Sequence, residues 1–356
     1  MNPEPNMIPE DVLSSMEMIR DSARGITGQD LTRIRKLRYG SPGFDRAVWS
    51  EICALGWPAL RLPEDRGGVG LGLLPYAALA EEAGRALLPE PLIPAVLASA
   101  LLDGAALEAH LDGARLVIPA WTEARGTLEP AGDPAIRDGK VTASRIHVPM
   151  AAGADALLVV GATQSALVAA DAPGVTVITD ETQDGGHVAA IRFEDTPCAV
   201  IAADPRPALA EAALATAAYL LGLMEGALDM TVAYLKQRVQ FGKTIGQFQI
   251  LQHMAVDARL EIEVSRASIE QAALQWDREG PTPAAQAAIS RAKARASASA
   301  MKVTRDCIQL HGGIGFTDEH DIGLYLRKAM VEAARFGGPS QHRARFARLK
   351  PVMQEA

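Results

Sequence analysis

YLKQRVQFGKTIGQFQILQ, residues 234–252, is the stretch whose reading decides the fold. Its first residues end a long helical pattern, Phe241-Gly242 breaks the periodicity, and Thr244-Ile245-Gly246-Gln247 has the Ser/Thr-x-x-Gln form of a capping box opening a second helix. Arg238 then falls at a helix C-terminus and Gln249 in the first turns of the next helix. An arginine and amides beside a glycine-broken turn suit an extended phosphorylated ligand. Guanidinium pairs with phosphate oxygens, and free N–H groups at a helix start attract anions. The same residues also describe a solvated helix corner. A second stretch, Gln309-Leu310-His311-Gly312-Gly313-Ile314-Gly315-Phe316, follows another long helical pattern and ends in glycines that allow close backbone approach to a ligand.

Working outward, the chain is helical in pattern from Asp204 to its end. Asp204-Pro205 is a good N-cap and first-turn pair, and the helix it opens can run to Gln237, roughly 50 Å. Further helices fit residues 246–278, 283–310 and 319–336, with stops at Gly280-Pro281, Gly312-Gly313 and Gly337-Gly338-Pro339. Such long, alanine-rich, widely apolar helices need partners on more than one side, so a bundle that also packs on other subunits is expected. Between about Arg115 and Val200 lie short β-prone runs, LVIPAW, ALLVVGA, SALVAADA, VTVIT and AAIRF, punctuated by Gly, Asp and Pro. Residues from about Glu10 to Ala106 read as helices broken by loops, one of them carrying Gly67, Gly68, Gly70 and Gly72. That cluster lacks GxGxxG spacing and a βαβ setting, which excludes a dinucleotide fingerprint. The result is an α+β chain with an N-terminal helical domain (1–114), a small middle β-domain (115–203) and a C-terminal long-helix bundle (204–356).

With 356 residues, 48% of them hydrophobic and 22% charged, the chain is expected to form a multi-domain globular protein. A formal net charge of -8 with no basic block argues against a nucleic-acid partner. The N-terminus, MNPEPNMIPEDV, has neither the basic nor the apolar region of a secretory signal. The apolar run from Ala212 to Met224 is too short to span a bilayer. A cytoplasmic protein is the simplest expectation. Cys53, Cys198 and Cys307 read as small core residues, and the seven scattered histidines show no ligand spacing, so no metal site is expected.

The two motif stretches resemble the acyl-CoA dehydrogenase family, whose C-terminal helical domain carries RxxFGxxIxxFQ and, two helices later, Q-x-x-GGxGF. Arg238, Phe241, Gly242, Ile245, Phe248, Gln249, Gln309, Gly312, Gly313, Gly315 and Phe316 fall on the pattern. The segment from Leu55 to Pro91 is similar to the family's N-terminal helical domain, with its PE-x-x-GGxGL loop and EExGR helix. The resemblance covers nearly the whole chain. It implies FAD as cofactor, its adenosine-diphosphate half held across a subunit interface by Arg238, Phe241, Gln249, Gln309, Gly312 and Gly313. An acyl-CoA substrate and an electron-transfer flavoprotein or similar acceptor are implied with it.

The family removes the α-hydrogen of an acyl-CoA thioester as a proton while the β-hydrogen leaves as hydride to the flavin, which needs a carboxylate base and donors around the thioester. Most members carry the base in a YEGT motif after GGxGF. Ungapped counting puts that position at Phe336, and a one-residue shift puts it at Gly337; neither is an acid, and the nearest, Glu332, reads as a surface helix residue. Other members carry the Glu on the preceding long helix, where counting lands on Ala212, beside Glu211. One residue turns a helical side chain through about 100°. Glu211 is thus the candidate base only with an adjusted helix start, and otherwise a solvated or capping carboxylate.

The family's TEPxxGSD segment, which lines flavin and thioester, appears as Trp121-Thr122-Glu123-Ala124-Arg125-Gly126, keeping Thr122 as a flavin-contact candidate. The aromatic-x-Thr that packs on the flavin ring aligns with His147-Val148-Pro149, and proline offers neither hydroxyl nor N–H. His147 reads as a compensating contact or as a partly buried strand histidine.

These losses fall on one side: residues serving a flavin across the interface survive, and those serving the chain's own flavin and base do not. The GGIGFTDEHD segment followed by LYLRKA is similar to two-subunit bacterial enzymes acting on steroid side chains. The expectation is a base-lacking subunit of a heteromeric FAD-dependent acyl-CoA dehydrogenase, paired with a homologous subunit. A homotetramer using Glu211, and a non-enzymatic scaffold of the same fold, are the alternatives.

Overall fold

A computed structural model describes residues 8–28 and 31–349. The absence of a secretory signal was read from a stretch whose first seven residues lie outside them. The N-terminal helices are α1 (Glu10–Ile26), α2 (Thr32–Leu37), α3 (Arg46–Ala54), α4 (Leu73–Arg85), α5 (Leu92–Leu101) and α6 (Gly104–Leu111). Asp45 caps α3 by accepting the Ala47 N–H, and Gly56 stops it in the left-handed region. The glycine loop before α4 exists because of close approach: a Cβ on Gly68 would lie 2.0 Å from the Leu62 carbonyl oxygen.

Eight strands follow: β1 (Val117–Ala120), β2 (Ala135–Arg137), β3 (Lys140–Pro149), β4 (Ala156–Val159), β5 (Gln164–Ala169), β6 (Val175–Glu181), β7 (His187–Pro197) and β8 (Ala199–Ala202). They form two four-stranded sheets, ordered β1-β4-β5-β8 and β2-β3-β7-β6. Only β1 and β4 pair in parallel, and both are buried throughout, which is why they read as continuous apolar runs. The apolar runs in the sequence correspond to β1, β4, β5, β6 and β7; β2 and β3 went unread because polar and small side chains interrupt them, and β8, Ala199–Ala202, because it is only four residues long.

The C-terminal elements are α7 (Arg206–Gln237), the two-residue strands β9 (Val239–Gln240) and β10 (Lys243–Thr244), α8 (Gln249–Glu279), α9 (Pro283–His311), α10 (Ile322–Glu332) and α11 (Pro339–Leu349). α7 has 32 residues, about 48 Å, and the Asp204 carboxylate accepts the Arg206 N–H at its start. It is long and apolar enough to cross a membrane, longer than the Ala212–Met224 run suggested, but 83% of its apolar window is buried inside the protein. Gly84 of α4 and Gly222 of α7 let these two helices touch at the backbone: a Cβ on Gly222 would lie 1.7 Å from the Glu81 carbonyl oxygen. The expected capping box is corrected: Thr244 ends β10, its side chain caps nothing, and α8 begins only at Gln249, after a 3-10 turn. α10 is also shorter than the expected 319–336, because residues 317–321 form bends and turns before it and residues 333–336 a tight turn after it.

Two compact units result. One is drawn from Met1–Leu31, Leu73–Leu88 and Ala213–Ala356, the other from Thr32–Gly72 and Pro89–Ala212. The architecture is the expected α+β arrangement, with helices, a small β region and a long-helix bundle in that order. Cys53 and Cys307 are core residues, their thiols pushed by burial up to about 12 and about 11, whereas Cys198 is only half-buried.

Candidate functional site

Arg238 directly follows α7, and its backbone N–H donates to the Tyr234 carbonyl at 2.9 Å while its carbonyl accepts from Ile245 at 2.8 Å. Between these bonds the chain makes a tight hairpin. Phe241 (φ 55°) and Gly242 (φ 78°) both occupy positive φ between paired Gln240 and Lys243, the requirement of a type I′ turn. This strained display leaves Phe241 90% exposed, edge-on to Phe248, with the Lys243 ammonium 4.3 Å from the Phe248 ring. Arg238 and Gln249 are exposed on either side of the hairpin in sequence. α8 starts with no side-chain cap and no acid in its first turn, so its positive end stays open to an anion.

Gln309, Gly312 and Gly313 are also exposed. Gly312 takes φ 64°, and the space where a Cβ would stand on Gly312 or Gly313 is open. The sequence did not reveal what joins the two motifs. Tyr234, one turn before Arg238, stacks on His311 with ring centroids 4.5 Å apart, and His311 in turn meets His320 at 4.6 Å. His311 Nδ1 donates to the Cys307 carbonyl at 2.8 Å, and burial lowers its pKa, which favours the neutral imidazole. Only aromatic and histidine positions at the two helix ends, 234, 311 and 320, could have signalled this link.

In the other unit, β1 runs into Trp121-Thr122-Glu123. Ile146 of β3 donates its N–H to the Thr122 carbonyl at 2.9 Å, and Arg145, buried, pairs with Glu123 at 3.3 Å. Thr122 is therefore held against β3, where His147 sits in a register shift between Arg145 and Val148. His147 has φ 56° and is exposed, not the partly buried strand histidine expected, because the bulge turns it out of the pleat. Pro149 is buried.

No candidate base is free. Glu211 has both oxygens taken by Arg61, Oε2 by Nε at 2.9 Å and Oε1 by Nη2 at 2.5 Å, while the third arm of Arg61 donates to the Leu71 carbonyl. Phe336 is buried at φ 55°, its carbonyl accepting from His342 Nε2 at 2.9 Å. Gly337 follows at φ 103°, and its carbonyl accepts from Lys293 Nζ at 3.1 Å. Lys293 is fully buried and also donates to Ser297 Oγ at 2.9 Å and the Ala333 carbonyl at 3.2 Å. Glu332 is no surface residue: it is buried, with its carboxylate 2.7 Å from Arg335 and 3.7 Å from Lys328. Among the described residues, no cluster of His, Cys, Asp and Glu could hold a metal ion.

Cationic and amide donors around an open glycine backbone are the chemistry a pyrophosphate needs, so the exposed motif face fits the FAD diphosphate. The acyl-CoA dehydrogenase N-terminal domain matches residues 14–106 and the C-terminal domain residues 205–348. The acyl-CoA dehydrogenase IpdE2 of Mycobacterium tuberculosis is 32% identical over 91% of this chain and 94% of its own length. Two solved structures are similar along almost the whole chain. The Tcur3481-Tcur3483 steroid ACAD G363A variant is 29% identical, with TM-score 0.85 over 95% of this chain and 98% of that one. The ChsE4-ChsE5 complex from Mycobacterium tuberculosis shares the fold at 24% identity, with TM-score 0.84 over 97% and 99%. Members of this family bind FAD. A chain with these motifs, this fold and a relative this similar end to end belongs to the acyl-CoA dehydrogenase family.

Proposed function

We propose that this chain is the base-lacking subunit of a heteromeric, FAD-dependent acyl-CoA dehydrogenase, a cytoplasmic enzyme that desaturates a bulky acyl-CoA thioester. The observation that carries the reading is the turn 333–338. Its carbonyls are tied by Lys293 and His342 around a buried Phe336, and the acids nearest the family's base positions, Glu211 and Glu332, are paired by Arg61 and by Arg335. A general base must offer a free lone pair to the α-proton, and a homologous partner supplies that carboxylate. Arg238, Gln249, Gln309 and the open backbone at Gly312 and Gly313 bind and orient the diphosphate of FAD from across the interface, with Phe241 packing beside it. Thr122, held against β3, is the one flavin-contact candidate that the β region keeps. FAD, when bound, supplies the hydride acceptor, and an electron-transfer flavoprotein or similar protein reoxidises it.

Assembly is supported by an apolar stripe on α8. Ile250, Val256, Leu260 and Val264 are all exposed along α8, a face suited to another helical subunit, and Phe241 and Phe316 are exposed as well. The similarity to the Tcur3481-Tcur3483 steroid ACAD, at 29% identity, supports a second dehydrogenase chain as that subunit and a steroid-like acyl group as substrate.

The test is flavin content and dye reduction, for the chain alone and after co-expression with a homologous dehydrogenase chain. The expected result is colourless protein alone, about one flavin per two chains in the complex, and activity that survives Glu211→Gln. One flavin per chain in the isolated protein, with activity abolished by Glu211→Gln, would overturn the reading in favour of a homomeric enzyme.

A further inference from the structure

α9 shows one line of residues to solvent, 291, 295, 298 and 302, spaced one helical turn apart. Between α8, α9 and α11 the floor of this face is made of Ala294, Ala298 and Ser299. Such short side chains leave a groove of about 440 Å³. Its walls are cationic: Arg291, Arg295 and Lys302 from α9 and Arg343 from α11, against Glu261 as the acid on the lining. This concentration stands out in a chain of net charge -8.

Part of the positive charge is already matched. Arg295 pairs with Glu261 at 3.1 Å, and Lys302 pairs with Asp306 at 2.9 Å. The other end of the groove is not matched. Arg291 bonds only a neutral amide, Gln271 Oε1 at 2.9 Å, and neither Arg291 nor Arg343 has an ion-pair partner among the described residues. Arg295 adds a buried Nε–H with no hydrogen-bond partner.

We propose that this groove binds a small molecule bearing a diphosphate, of the size of a nucleoside diphosphate, through Arg291, Arg343 and Arg295. Three planar guanidinium forks suit phosphate oxygens, which they bind bidentately, better than they suit a diffuse acidic surface. From Arg291 to Lys302 the groove runs about 16 Å, enough for a diphosphate and its nucleoside. Phe346, half-buried, closes the lining one turn after Arg343 and adds an apolar side chain to it. An acidic helix docking here would need apolar anchors along the floor, and Ala294 and Ala298 provide none. The site shares no residue with the Arg238 hairpin and does not depend on the flavin reading.

Isothermal titration of the full chain with inorganic pyrophosphate and with ADP, at low ionic strength, tests it. The wild type binds both saturably at the groove, ADP more tightly, and the double variant Arg291→Gln/Arg343→Gln weakens that site by about a hundredfold. Arg238→Gln leaves the groove site in place, which separates it from the hairpin. Absence of saturable binding, unchanged binding in the double variant, or loss of every site in Arg238→Gln each overturns the proposal. All three positions are exposed, and circular dichroism confirms that the variants fold.

Discussion

Replacing Lys293 by methionine separates two opposed effects at the turn that carries Phe336. The ammonium is wholly enclosed, and burial, the largest cause, pushes its pKa down from 10.5 to about 7; the Glu332 carboxylate resists this and Arg335 adds to it. Against that cost stand bonds from Nζ to Ser297 and to the carbonyls of Ala333 and Gly337, which would otherwise be buried acceptors lacking a donor, each worth about 1–3 kcal/mol. The sign with pH follows from proton counting. Between pH 7 and 10.5 the unfolded chain holds a proton on this lysine that the folded chain has released, so raising pH favours folding through this group. Below pH 7 both states hold the proton and its contribution is constant. Within the window the stability of wild type relative to Lys293→Met therefore grows by up to about 1.4 kcal/mol per pH unit. From pH 7.5 to 9.5 that is about 2–3 kcal/mol, or about 5–10 °C in melting temperature for a unit of this size. Paired thermal melts across that range read it directly, because every other titrating group is common to both proteins. Parallel curves for the two proteins would refute the reasoning, since they would mean that Lys293 titrates normally and is not enclosed.

Other perturbations test separate parts of the structure. Gly222→Ala forces a Cβ to within 1.7 Å of the Glu81 carbonyl oxygen, so α4 and α7 must separate, and a loss of about 3 kcal/mol or more in urea unfolding is expected; an unchanged midpoint contradicts the close crossing. Leu260→Lys should change intrinsic stability by less than about 0.5 kcal/mol yet dissociate the assembly in light scattering, because the side chain is 56% exposed in the single chain. His342 has its pKa pushed down to about 4, chiefly by burial, so the unfolded state gains a proton first as pH falls from 6.5; stability should drop between pH 6.5 and 4, and His342→Gln should flatten that limb in acid melts.

The fold was legible where local chemistry and tertiary packing agree. Pro283, Gly280 and Gly312 mark helix ends through backbone constraints that hold in any context, and the predicted and observed boundaries of α9 differ by one residue. β3 failed for the opposite reason. Its exposed and polar positions suppress the alternation a strand should show, and its bulge at His147 shifts the register midway. Thr244 misled because a capping box is only a spacing, and here tertiary pairing drew the residue into a two-residue strand.

Site legibility divides along the same line. Residues that act through backbone form, such as Gly242 and Gly312 at positive φ, announce themselves as glycines in a motif. The roles of carboxylates depend on partners distant in sequence, which no spacing reveals. Glu211 meets Arg61, 150 positions earlier, and Glu332 lies over the buried Lys293 beside Arg335. Each acid near a position where the family carries its base is matched by a cation, and the turn at Phe336 is held by donors to its carbonyls. The missing base is thus not a single altered residue in an otherwise ready pocket. Lys293 and His342 give the turn a closed structure of its own, which a chain can sustain when the proton is removed by another subunit.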